Sequence, residues 1–235
     1  MGNFYITKDG KKKLDRYALS ARYPEKFKVN MPHYDDLGHS VNTIIHVGAH
    51  EAQELLFYVK NFKARNILLF EPNPDKFRLV KSAIDFINKN YSVNIVFYPI
   101  GLGSGNGRHT LTSFSGRSSG LASLLKPRAT QIKAIFGADK KQMQGLSDQP
   151  IYYEVFTTTL DLTLKRHPEF VDTDLLVIDT QGYELEVLKG AKSLLLSKGV
   201  RSIDLEVTFN ADADIWAYEQ APTANSIDAF LSGFG

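Results

Sequence analysis

Apolar residues fall into short continuous runs, several of them followed by a stretch with helical spacing, while 93–100 closes on the Gly-rich turn GLGSGNG (Gly101–Gly107). The runs are 43–48 (TIIHVG), 66–71 (NILLFE), 93–100 (VNIVFYPI), 174–179 (DLLVID) and 202–207 (SIDLEV). A run of this length that stops at a glycine or an acid predicts a strand buried on both faces. In between, Leu55, Leu56, Val59 and Phe62 recur at helical spacing within 51–63. Phe77, Val80, Ala83, Ile84 and Ile87 do so after Pro74, which suits the first turn of a helix. Leu185, Leu188, Leu194 and Leu195 predict an amphipathic helix over 183–197, with Gly199 as its C-terminal cap. Strand–helix units in succession predict an α/β fold: a doubly wound, mostly parallel sheet with right-handed crossovers.

Two stretches break the rhythm. Residues 1–42 are rich in Lys, Tyr, Asp and Pro and have no sustained period, so they read as an irregular or partly helical N-terminal extension. Within it, Lys11, Lys12 and Lys13 read as a solvated face. Residues 108–150 hold SFSGRSSGLASLL, a helical segment near 127–136 and the polar KKQMQGLSDQP. An insertion of that length is either a cover for a site or a surface excursion. VFTTTLDLTLK (155–165) predicts an edge-like strand running into a helix, and IDAFLSGFG (227–235) a helix with a stop. The organisation expected is an extension over 1–42 and one domain over 43–235 with an insertion at about 108–150.

Composition narrows the function. The chain has 235 residues, 43% hydrophobic and 23% charged, enough for one sizeable core. A net charge of +2 gives no electrostatic basis for binding nucleic acid or an anionic membrane. Without cysteine there is no disulfide framework, thiolate zinc site or Cys nucleophile. No apolar run reaches the roughly 20 residues of a membrane helix. The first residues lack the apolar core of a leader, and Ile6 stands where a myristoylation signal has Ser or Thr. The expectation is a soluble cytoplasmic protein.

In an open parallel sheet the ligand lies beyond the carboxyl ends of the strands. Gly48, Glu71, Gly101 and Asp179 punctuate four such ends. Gly48 allows a sharp turn and a close backbone approach, ahead of a helix N-terminus. Only one glycine is present there, where a dinucleotide fingerprint needs three. Glu71 follows Gly48 by 23 residues, the spacing of an acid that accepts hydrogen bonds from a ribose diol. Asp179 ends a wholly apolar strand, where an acid has no propensity reason to be. Glu184 and Glu186 begin the next helix, where its dipole favours negative charge. His46 and His50 straddle a strand–turn junction rather than sharing a helix face, so no metal pair is expected. Trp216 and Tyr218 read as packing or as a substrate wall. SFSGRSSG follows no strand with a P-loop pattern and is rejected as one.

The segments IIHVGAHEAQE, LLFEPNP, VFYPIGLG, TLDLTL and above all LLVIDTQGYELEVLKGA followed by LEVTF resemble the FkbM-type methyltransferases, in order and spacing, over roughly residues 43–234. The resemblance implies a class I, Rossmann-like fold, S-adenosylmethionine as cofactor, and O-methylation of a hydroxyl on a sugar or other natural product. It places Gly48, Ala49 and His50 around the methionine part of the cofactor. It places Glu71, with Pro72 and Asn73, on the ribose, and Ile100 and Gly101 near the adenine. Asp179, Gln181, Gly182 and Glu184 fall on the acidic loop that faces the methyl donor, and Glu206 on the following strand end. Two positions depart from the family: His46 stands where Asp is common and Ala52 where Gly is common. His46 still offers a hydrogen bond to the amino-acid end of the cofactor. The family usually continues with further C-terminal strands, so the expected sheet lacks its last strands and its open edge invites a second copy.

Asp179 is expected to orient or deprotonate the acceptor hydroxyl, with Glu184 and Glu206 as secondary catalytic candidates. A divalent ion would need one of those two glutamates beside Asp179, and none is predicted. The partners expected are a small-molecule or glycan acceptor. Two alternatives stay open: a nicotinamide-dependent oxidoreductase, and a degenerate non-catalytic binding module.

Overall fold

In the computed structural model the described residues are 3–6, 12–15, 34, 37–114, 120–128, 150–207 and 218–234. Each apolar run is a strand: β3 (Thr43–Val47), β4 (Asn66–Phe70), β5 (Asn94–Tyr98), β9 (Thr173–Ile178) and β10 (Val200–Glu206). These five are parallel, in the order β10-β9-β3-β4-β5. Their continuous apolar character follows from burial on two faces. Ile44, Leu175 and Val177 pack on one side with the helical segment Leu55–Phe62 and with α2 (Pro74–Asn90). Ile45, Val47, Leu176 and Ile178 pack on the other side with α3 (Leu160–Leu164), α4 (Glu184–Lys189), α5 (Lys192–Leu196) and α6 (Ala224–Leu231). The doubly wound α/β reading therefore holds.

Several local expectations are corrected. Residues 3–15 contain strands, not helix: β1 (Asn3–Ile6) and β2 (Lys12–Asp15) form an antiparallel pair. β1 lies antiparallel on β10 and extends the sheet at the edge expected to be open. Residues 51–54 are turn, and the helix that follows is one α-turn, α1 (Leu55–Phe57), passing into a π-turn (Tyr58–Phe62). Lys63 closes it with a left-handed backbone, φ 62°. The single helix expected over 183–197 breaks into α4 and α5. Its left-handed terminal residue is Lys198, φ 55°, and not Gly199.

The stretch after β5 forms a second sheet of β6 (Gly101–Leu102), β7 (Gly107–Ser113) and β8 (Ile151–Thr158), in the order β6-β8-β7. The strand expected at an edge is thus the central one here, because both neighbours come from inside the Gly-rich turn and the insertion. Of the helix expected near 127–136, Pro127 makes an isolated bridge to Tyr218, and 129–136 lie outside the described residues. Among the described residues no helix is long and apolar enough to cross a membrane.

Candidate functional site

β3 and β9 are neighbours, yet the chain leaves β3 for β4 on one side and leaves β9 for β10 on the other. The loops beyond their carboxyl ends diverge, which opens a crevice at the place where an α/β sheet binds ligands. Gly48 makes the crevice possible. Its φ is +83°, and a Cβ there would stand 1.8 Å from the Asp179 carbonyl oxygen. No side chain fits that approach.

The turn after β3 is fastened to the end of β4. Gly48 N–H and Ala49 N–H both donate to the Phe70 carbonyl at 2.9 Å. The His50 N–H donates to Glu71 Oε2 at 2.7 Å, and the Asn73 N–H to Oε1 at 2.7 Å. The Glu71 carboxyl is therefore fixed in place, while each oxygen keeps a second lone pair for a ligand. Burial pushes it up to about 7 against the pull of those two N–H groups.

The turn after β9 is built differently. Gln181 and Gly182 both have positive φ, 55° and 102°. Glu184 is buried beneath them, and its Oε1 accepts from Thr180 N–H at 3.1 Å, Thr180 Oγ1–H at 3.1 Å and Gly182 N–H at 2.9 Å. Burial raises this carboxyl to about 7 as well. The Gln181 side-chain amide donates to Asp179 Oδ1 at 2.8 Å and to Glu206 Oε2, which joins the ends of β9 and β10. Burial, then the Asp179 charge and a hydrogen bond to Asp179, hold Glu206 well above the usual carboxylate range.

Between the two turns lies a cavity of about 470 Å³, the size of a small-ligand pocket. Of the sequence-predicted residues, His46, Gly48, Ala49, His50, Glu71, Pro72, Gly101, Asp179, Gln181 and Glu206 line it. Asn73, Ile100 and Glu184 do not. Asn73 caps α2 by accepting from Asp75 N–H at 3.1 Å, and it donates to Ser113 Oγ at 3.0 Å. Ile100 packs into the apolar core beside β4 and β5. Glu184 faces its own turn. His46 meets the Tyr58 hydroxyl at Nδ1, 3.2 Å away, and burial drives it down to about 4, so it is a neutral imidazole.

Tyr34, Glu54 and Asp204 are among the lining residues that had not been singled out from sequence. Tyr34 donates its hydroxyl to Asp204 Oδ2 at 2.6 Å, both buried. Glu54, in the turn before α1, has its carboxyl pushed up to about 7 by burial and then by the charges of Asp179 and Asp204. Asp204 carried a readable signal: it lies two residues before Glu206 in a strand, hence on the same face. Glu54 lay inside the quoted HVGAHEAQE segment, and Tyr34 lay in a stretch without pattern. Residues 120–124 also line the cavity, held by the Ser123 hydroxyl on the Gln181 carbonyl at 2.8 Å and by the Tyr218 hydroxyl on the Leu121 carbonyl at 2.6 Å. This part of the insertion covers the site. Trp216 and residues 115–119 lie outside the described residues. Among the described residues no three His, Cys, Asp or Glu side chains converge in a metal-holding group.

A family model described as the Methyltransferase FkbM domain matches residues 46–235. A solved structure of methyltransferase FkbM from Methylobacillus flagellatus KT is similar over 83% of this chain, at 11% identity and a TM-score of 0.49. The matched region spans 38% of that protein's chain. No curated protein matches.

Proposed function

The chain belongs to the FkbM methyltransferase family, and we propose that it transfers a methyl group from S-adenosylmethionine to a hydroxyl of a sugar or other small-molecule acceptor. The observation that carries the cofactor is the charge of the cavity. Its described lining includes Glu54, Glu71, Asp179, Asp204 and Glu206, and no Lys or Arg. A ligand with a sulfonium and an ammonium neutralises such a lining. A nicotinamide dinucleotide brings a pyrophosphate instead, which wants backbone N–H donors or cations, and here the Gly48, Ala49 and His50 N–H groups are already spent on Phe70 and Glu71.

Glu71 would hold the ribose hydroxyls, with Gly101 and Leu102 beyond it toward the base. When bound, S-adenosylmethionine supplies an electrophilic methyl group on a sulfonium leaving group. The chain's own task is then to position the acceptor oxygen and take its proton. Burial and the neighbouring Asp179 raise the Glu206 carboxyl well above the usual carboxylate range, and we assign Asp179, at the end of β9 in the cavity wall, to receive the hydroxyl proton. Gln181 fixes that carboxylate through Oδ1. Glu184 acts through the turn that carries them, as a positioning residue.

Calorimetric titration with S-adenosylhomocysteine against NAD tests the reading. Binding of S-adenosylhomocysteine, weakened by Glu71→Ala and spared by Asp179→Asn, is expected. Tight binding of NAD alone overturns it in favour of an oxidoreductase. Failure of both ligands, with a fold intact by circular dichroism, favours a binding module.

A further inference from the structure

The five carboxyl groups around the cavity differ in one respect. Glu71 is held by two backbone N–H groups, Asp179 and Glu206 by the Gln181 amide, and Asp204 by the Tyr34 hydroxyl. Glu54 has only its own backbone N–H. No other described side chain hydrogen-bonds or ion-pairs with it. Its neighbour Glu51, by contrast, is spent on Lys76 at 2.8 Å. Among the described groups of the cavity, Asp179 and Asp204 repel Glu54, and His46 is neutral and turned to Tyr58. A partly buried acid of this kind, facing a cavity, lacks a cation that none of the described residues supplies.

The order of the strands says which part of a ligand would bring it. From β5 inward, the cavity runs from Gly101 and Leu102, past Glu71 on β4 and Gly48 on β3, to Asp179 on β9 and Asp204 on β10. A ligand with its ribose on Glu71 and its base toward Leu102 extends its amino-acid end past Gly48. Glu54 lines the same cavity and feels the charges of Asp179 and Asp204, which places it at that end.

We infer that Glu54 is the specificity residue for the α-ammonium group of the cofactor, pairing with it across the cavity. The inference rests on the S-adenosylmethionine reading above and assigns one residue within it. An ammonium beside Glu54 also stabilises its ionised form, so binding near neutral pH releases protons from a group that is half protonated at about 7 when the cavity is empty.

The test is calorimetric and needs no acceptor. Two ligands are titrated into the wild type and into Glu54→Gln: S-adenosylhomocysteine, and its analogue lacking only the α-amino group. The wild type is expected to prefer the amine-bearing ligand by roughly tenfold to a hundredfold, the range of one charged hydrogen bond. Glu54→Gln is expected to lose that preference by weakening only the amine-bearing ligand, and to release fewer protons in buffers of different ionisation enthalpy. Glu54→Asp, which keeps the charge, is expected to retain a preference, and it serves where the glutamine variant fails to fold. A preference unchanged in Glu54→Gln, or both ligands weakened alike, overturns the Glu54 assignment and leaves the cofactor reading standing. No binding of either ligand to the wild type overturns both.

Discussion

Glu54 and Glu184 occupy equivalent places in two turns that face each other across the crevice. Each stands at the start of a helix that follows a central strand, and burial raises each carboxyl to about 7. Their surroundings separate them. The β9 turn folds around Glu184, whose Oε1 collects three donors from Thr180 and Gly182. The β3 turn leans instead on Phe70 and Glu71 of the neighbouring strand, so Glu54 is left facing the cavity. A shifted titration by itself does not mark a functional group. Between these two acids the partners do: Glu184, whose Oε1 is taken up by N–H groups of its own turn, builds the site, and Glu54, with only its own N–H, is available to a ligand.

The largest expected effect tests whether the two turns depend on each other. Gly48→Ala drives a Cβ into the Asp179 carbonyl, and its cost is expected to exceed about 4 kcal/mol, the tail reserved for severe clashes. Thermal denaturation measures it, and an unchanged melting point would show that the turns do not meet as described.

Next in size is the contrast between the glutamates. Glu184→Ala strands the Thr180 and Gly182 N–H groups and is expected to cost about 2–5 kcal/mol. Glu184→Gln keeps an acceptor and is expected to stay within about 1 kcal/mol of wild type. Glu54→Gln is expected to be neutral or stabilising in the ligand-free protein. Equal destabilisation by Glu54→Ala and Glu184→Ala in urea melts would erase the distinction.

A smaller effect is expected from pH. Glu54, Glu71 and Glu184 have folded values near 7, above the ordinary 4.5. The folded protein therefore holds protons that the unfolded chain has released, and stability falls as pH rises through 7. His46 acts oppositely, with a folded value near 4 against 6.5, so its contribution is present above 6.5 and is lost as pH falls toward 4. Between pH 6.5 and 8 the loss from the three glutamates outweighs the last of the His46 gain, and the ligand-free melting temperature is expected to drop by a few degrees. Glu54→Gln should flatten that slope, and a rising melting temperature would contradict the buried-glutamate account.

The smallest expected effect concerns Ala52, which sits buried at φ 55° in the β3 turn. Ala52→Gly relieves a left-handed backbone at the cost of chain entropy, for a net change within about 1 kcal/mol. A larger loss would mean that the methyl group, rather than the backbone, holds this turn.

The parallel strands were legible because strands buried on both faces must be continuously apolar, and Gly48, Glu71 and Asp179 were legible because they interrupt that rule. What escaped the sequence depends on distant partners. β1 (NFYI) and β2 (KKLD) are short and mixed in polarity, and it is the pairing of β1 with β10, and of β2 with β1, that makes them strands. Glu184 reads as a helix-start acid while Glu54 went unremarked, since nothing local says which acid will find N–H donors. Asn73 was read as part of the ribose motif, yet its side chain is occupied in capping α2 and bonding Ser113. The π-turn after Phe57 has no periodic signature, since the apolar spacing of Leu55, Leu56, Val59 and Phe62 fits an ordinary helix equally well.

The pairing of β1 with β10 carries a kinetic consequence. Asn3 lies opposite Glu206, so the earliest strand waits on one that leaves the ribosome roughly 200 residues later. At synthesis rates of about 5–20 residues per second that delay is on the order of ten seconds or more. During it, the backbone groups of β1 have β2 on one side only. Pairing so remote in sequence is slow to form and exposes strand edges meanwhile. The protein's yield on synthesis should therefore be sensitive to changes in β1 and β2 that weaken this pairing.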